Sequence, residues 1–175
     1  MTPISAVRTA LVALAALAAS ALPALAQEGL EDLGTFKDWQ ARSYNEGGKL
    51  VCTMFSVPQS SEGDYTKRGE VYVFVTHRPA HNRTDEVSIN IGYTFKKGAP
   101  VNVVISGTTF ELFSDRSTAW TRDSKSDRAL VRAMRAGAEM IVQGISSRGT
   151  RTTDTFSLSG FTAAHNAVSN ACKVR

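Results

Sequence analysis

Two cysteines among 175 residues, no Cys-x-x-C and no second long apolar run set the first limits on this chain. The missing Cys-x-x-C spacing disfavours a dithiol redox enzyme or a zinc site. There is no Gly-rich phosphate loop. Gly144-Ile145-Ser146-Ser147-Arg148-Gly149 is not a Gly-x-Ser-x-Gly elbow, because its second Gly comes one residue late. No repeat period and no low-complexity tract breaks the sequence. Charged residues make up only 21%, with a formal net charge of +4, and nucleic acid is not an expected partner. Length and composition exclude a multidomain enzyme, a disordered tail and a disulfide-dense miniprotein.

What is present begins with an address. Met1–Ala26 reads as a cleaved secretory signal: Arg8 is its only charge, Thr9–Leu22 is apolar, and Pro23 precedes Ala24-Leu25-Ala26. Ala-x-Ala is the small-residue pattern cut by signal peptidase. The apolar run is too short for a membrane anchor, which needs roughly 18 residues. The mature chain, 27–175, is then one domain in an oxidising compartment, periplasmic or at the outer surface. There, the even pair Cys52 and Cys172 is expected to form a disulfide, where a cytosolic chain would keep two buried thiols.

Alternation at period two marks the strands. In Glu86–Phe95, Val87, Ile89, Ile91, Tyr93 and Phe95 alternate with polar residues and Gly92, as a half-buried antiparallel strand requires. Glu70–Arg78 is apolar on both faces, with Val71, Val73 and Val75 opposite Tyr72 and Phe74, and reads as a central or covered strand. Lys49–Val57 is similar. Thr35–Tyr44, Val101–Ser106, Thr108–Ser114, Glu139–Ser146 and Arg151–Leu158 complete about eight strands by this periodicity. Pro58–Gly69 is a long polar loop. Short strands separated by turn formers predict a mainly β fold, an antiparallel immunoglobulin-like β-sandwich.

Two short helices are expected within it. Ser126–Ala136 buries Ala129, Leu130, Ala133 and Met134, with Gly137 as its stop signal. The second, Phe161–Ala171, carries the stripe Phe161, Ala164, His165, Val168 and Cys172, which places Cys172 on the buried side where Cys52 could meet it.

Chemistry-bearing residues are few. His77 and His81 flank Pro79, which breaks any helix between them, so solvated loop histidines are expected. His165 reads as a satisfied core histidine. Asp123, Asp127, Glu139 and Asp154 read as solvated or capping carboxylates, and Trp39 and Trp120 as core or rim packing. The one marked electrostatic feature is the group Arg122, Lys125, Arg128, Arg132 and Arg135, a candidate face for an anionic partner such as a lipid head group or an acidic protein. Its bland alternative is a soluble helix face, with Arg132 and Arg135 complementing the helix dipole.

Three segments resemble the invasion-associated locus B family of exported bacterial proteins. Phe36-Lys37-Asp38-Trp39-Gln40 is similar to its Phe-x-Asp-Trp entry strand, followed by Cys52. Leu130–Gly137 is similar to its short helix ending in Gly. Phe156-Ser157-Leu158-Ser159-Gly160-Phe161-Thr162-Ala163-Ala164 resembles its closing signature, the most specific of the three. The resemblance implies a β-sandwich-like domain outside the cytoplasm, with no catalytic residue and no cofactor or metal to carry over. Many members hold an additional cysteine pair shortly before the short helix. Leu112–Arg122 holds none, which leaves stabilisation to the Cys52–Cys172 bond. The expected function is a non-enzymatic binding module for an envelope or host-surface component, with peripheral membrane association at most. The alternatives are a periplasmic enzyme with an unrecognised site, expected to show a polar cleft, and a small-ligand carrier, expected to show an apolar cavity.

Overall fold

The structure, a computed structural model, describes residues 29–174. The expected signal segment lies outside these residues. Eleven strands and two helices follow in chain order: β1 Glu31–Phe36, β2 Trp39–Glu46, β3 Lys49–Ser56, β4 Ser60–Gly63, β5 Tyr72–Arg78, β6 Arg83–Asn90, β7 Val101–Ile105, β8 Thr108–Asp115, β9 Thr118–Trp120, α1 Ser124–Ala136, β10 Glu139–Ile145, β11 Arg151–Ser157 and α2 Phe161–Ala171. Every strand pairing is antiparallel. The mainly β class and both helices stand as expected.

The strands run in one hydrogen-bonded series, β1-β2-β3-β5-β6-β9-β8-β7-β10-β11-β4. β8 joins its two halves. Thr108–Leu112 pairs with β7, whereas Phe113–Asp115 pairs with β9. Both halves feed one core: Val73, Val75, Val87 and Ile89 from one, Val103, Met140, Val142 and Phe156 from the other. α1 packs over β6 and α2 over β1–β3.

Three local differences have physical causes. Thr35–Tyr44 is two strands, because Lys37 takes a left-handed conformation (φ 53°) and turns the chain between β1 and β2. Gly92 (φ 75°) ends the Glu86–Phe95 run after Asn90; its carbonyl accepts the Gly69 amide, and a side chain there would strike the Gly69 backbone. Pro58–Gly69 contains β4, which pairs with β11. Beside it, Arg68 forks onto Asp154 with bonds of 2.8 and 2.6 Å, and its guanidinium lies between Tyr65 and Tyr93. Asp154 is therefore buried rather than solvated, and its charge is matched by a planar two-bond partner.

α2 follows its stripe closely. Phe161, Ala164, His165, Val168 and Cys172 are all buried, and Cys172 is bonded to Cys52 on β3 across 120 positions of sequence. Trp39 is core: its indole N–H donates to the Ser157 carbonyl at 3.0 Å, and its ring meets Phe161 edge-on at 4.9 Å. The Ser-Gly before α2 has a steric reason. Gly160 (φ 90°) lies against the Phe36 carbonyl, where any side chain would collide.

Candidate functional site

Strand alternation sends Val73, Val75, Val87 and Ile89 inward, and so sends Tyr72, Phe74 and Ser88 to the opposite face of the sheet. β5 is central, between β3 and β6, but its aromatic face is not covered by another element among the described residues. The register aligns one transverse row: Gln40, Phe55, Phe74, Ser88, Trp120 and Phe113, one residue from each of β2, β3, β5, β6, β9 and β8. Phe55 and Phe74 have ring centroids 5.9 Å apart, and Tyr72 lies 5.7 Å from Phe74. Phe113 and Trp120 stack at 5.7 Å. Ser88, the one small side chain between the two aromatic groups, leaves a dip.

Polar side chains border the rings. On one side runs Arg42, Thr53, Thr76 and Glu86, again in register. The Thr53 and Thr76 hydroxyls bond each other at 2.9 Å, and the Arg42 guanidinium lies 5.0 Å from the Phe55 ring centre. Arg78 pairs with Glu46. Tyr72 donates to Glu70 at 2.8 Å, a bond that raises its phenol above the usual range. Phe55, Tyr72, Phe74, Ser88 and Trp120, with the flanking polar row, line an open groove of about 590 Å³, and Phe113 lies beyond its edge. A second groove, of about 480 Å³, shares Glu86 and Trp120 with it and reaches Arg122 and the start of α1.

Asp127 sits at that junction. Helix α1 begins at Ser124, two residues before its expected start, because Asp123 caps it by accepting the Ser126 amide at 2.7 Å. Asp127 is thereby inside the helix and buried, not solvated. It accepts the Val87 amide at 2.9 Å and the Thr121 hydroxyl at 2.7 Å. Burial raises its carboxyl, helped by Glu86 and Asp85, against the lowering effect of those two bonds. Asp123 and Asp127 line one groove, Glu139 is exposed, and Asp154 belongs to the Arg68 pair.

The histidines divide. His81 is exposed in a 3-10 turn at Pro79–His81, as expected of a loop histidine. His77 is not in a loop: it lies on β5, 1% exposed. Its Nδ1 accepts the Asp85 amide at 3.0 Å and its Nε2 donates to Ser169 at 3.2 Å. His165 Nε2 donates to Asp85 at 2.7 Å, while its Nδ1 faces Arg135 at 3.3 Å and the Ser169 hydroxyl at 3.4 Å. Burial lowers His77 to about 4, with Asp85 opposing and His165 adding to the shift. Asp85 lies below the usual carboxylate range; burial opposes that shift, and the His165 bond and charge outweigh it.

The ligand atoms of His77, Asp85 and His165 lie within 4.8 Å of one another, a spacing a metal ion could use. Each is already engaged, and the Arg135 guanidinium would oppose a cation. The cluster reads as a brace that holds α2 to β5 and β6 beside the disulfide.

The basic residues are placed as follows. Arg122, Lys125, Arg128, Arg132 and Arg135 are exposed. Arg122 lies 3.7 Å from Glu111 and lines the second groove. Arg135 donates to Asn166 on α2 at 2.7 Å. Among the described residues, no carboxylate pairs with Lys125, Arg128 or Arg132.

Sequence reasoning did not single out Phe55, Tyr72, Phe74 or Phe113 as a surface. Its signal was the second apolar face of Glu70–Arg78, aromatic where the core face is aliphatic.

The family described as invasion associated locus B (IalB) protein matches residues 39–169. No curated protein and no solved structure matches the chain.

Proposed function

This chain belongs to the invasion-associated locus B family, and from that premise we propose that it is an exported, non-enzymatic binding module. Its partner is a component of the bacterial envelope or of a host surface, met from the periplasm or the outer face. The carrying observation is the uncovered aromatic row Phe55, Phe74, Trp120 and Phe113, the first three in one open groove and Phe113 in the groove that adjoins it at Trp120. Soluble domains leave few contiguous apolar patches uncovered, and those with polar rims mark contact sites. The Cys52–Cys172 bond supports an oxidising compartment.

Two features support binding over catalysis. The nucleophile-and-base chemistry present, Ser169 with His77, His165 and Asp85, is consumed in a closed network and lines none of the grooves above. The grooves are open and bordered by polar groups, unlike the apolar cavity that a small-ligand carrier requires. We assign Arg122, Lys125, Arg128 and Arg132 a steering role toward an anionic part of the same partner, since Arg122 lines the groove that Trp120 shares.

The test places a photo-crosslinking residue at position 88 in living cells, with position 97, in a turn that lines neither groove, as control. A discrete adduct from position 88 alone supports the reading. Equal labelling from both positions, or none from 88, overturns it.

A further inference from the structure

Resting on the reading of this face as the binding surface, we propose that its ligand is a linear glycan lying across the strands, with sugar rings stacked along the aromatic row. Three observations point to that chemistry. The row is perpendicular to the strands, and its members step from strand to strand. Strands lie about 4.8 Å apart, close to the length of one pyranose unit in an extended chain. A polymer of such units can follow the row Phe55, Phe74, Ser88, Trp120 and Phe113, whose paired rings lie 5.9 and 5.7 Å apart.

The second observation is the alternation of ring and hydroxyl partner. A pyranose presents C–H bonds on its faces and hydroxyls at its edges. Aromatic rings offer a negative face to the first. The flanking row Arg42, Thr53, Thr76 and Glu86 offers to the second the donors and acceptors left over from its own bonds to Gln40, between the two threonines and to Arg83, and Asn90 and Thr118 stand in register on the other side. The dip at Ser88 leaves room for a ring substituent.

The third concerns charge. Both signs border the row: Arg78 with Glu46, and Arg83 with Glu86. Face-to-face closure against a second copy would remove these pairs and Arg42 from water, a loss that favours an open, hydrated ligand. Balanced charge at the row also leaves ring stacking, rather than ion pairing, as the main contact.

The experiment is calorimetric titration of the folded, oxidised protein with cellohexaose and with the hexamer of N-acetylglucosamine, each beside its disaccharide. At least one hexamer is expected to bind, with its disaccharide at least tenfold weaker, because a short chain spans only part of the row. Phe74→Ala and Trp120→Ala are each expected to weaken binding at least tenfold. Ser88→Lys, which removes no ring and fills the dip, does the same with an unchanged melting curve. Absence of binding by both hexamers, or binding indifferent to all three variants, overturns the glycan. If neither hexamer binds while the adduct at position 88 still forms in cells, the glycan fails and the reading of the face stands. If both experiments fail, both fall. A sedimentation shift from dimer to monomer on Trp120→Ala shows self-contact and also overturns the glycan.

Discussion

Trp120 and Phe113 stack with ring centroids 5.7 Å apart and planes 30° from parallel, extending through Ser88 the row begun by Phe55 and Phe74. Each of these residues sits on a strand whose other face is core. The sheet thus carries two apolar surfaces. The aliphatic one is covered by α1, α2 and the second half of the sheet; the aromatic one is open. Burying such rings against a partner would remove apolar area from water, worth about 25 cal/mol per Å².

The disulfide closes a segment of 120 positions. Chain-entropy reasoning gives such a closure roughly 5 kcal/mol at most. Reduction is expected to lower the melting temperature clearly while leaving a folded, less stable domain. Melting curves with and without reductant check this, and superimposable curves contradict it.

Acid should loosen the anchorage of α2. His77 is held near 4 in the fold, against 6.5 when unfolded. Between those values the unfolded chain binds a proton that the folded chain does not. Stability therefore falls as pH drops from 6.5 to 4, by roughly 3 kcal/mol in all. Asp85, depressed in the fold, adds a further loss as pH falls below its unfolded value. The urea midpoint between pH 7 and pH 4.5 should slope down, and more gently in His77→Gln. Equal slopes would remove His77 as the cause.

Asp127 separates hydrogen bonding from charge. Asp127→Ala leaves the buried Val87 amide without its acceptor, at a cost of about 1–3 kcal/mol. Asp127→Asn keeps a carbonyl oxygen there. The raised carboxyl means that ionisation opposes folding above its unfolded value, so Asn is expected to be neutral or stabilising at pH 7. Urea unfolding of the two variants decides it; equal losses would contradict the assignment.

The steering proposed for the helix charges would act at longer range. Reversing Lys125, Arg128 and Arg132 to Glu should weaken attachment to envelope fragments at low salt and flatten its salt dependence, with little change in melting. Identical salt curves for the reversed and native proteins would exclude a steering role.

Much of the fold was legible in the sequence. The α2 stripe gave the buried face of that helix, including Cys172, because 3.6-residue periodicity is local. The cysteine pairing followed from compartment and parity. The two-faced character of β5 was visible as Val71, Val73 and Val75 against Tyr72 and Phe74. What covers a face depends on partners far away in sequence. Of the two readings, central or covered, the first holds: β5 lies between β3 and β6, and its second face stays open. His77 and Asp154 were misplaced for a related reason: each is buried by a distant partner, α2 and Arg68. The short β4 and β9 hold too few residues for alternation to register. β9 is what brings Trp120 into the row, so the site escaped recognition even though most of its rings lay in expected strands.

The central claim, that the aromatic face of the sheet is the contact surface, is tested most directly by one comparison. Purified native protein and the Phe74→Ala/Trp120→Ala double variant are sedimented with isolated envelope fragments at fixed salt. Native protein should co-sediment saturably, and the variant should lose at least tenfold in affinity while melting within a few degrees of native. Equal co-sedimentation of the two, with both folded, would contradict the account.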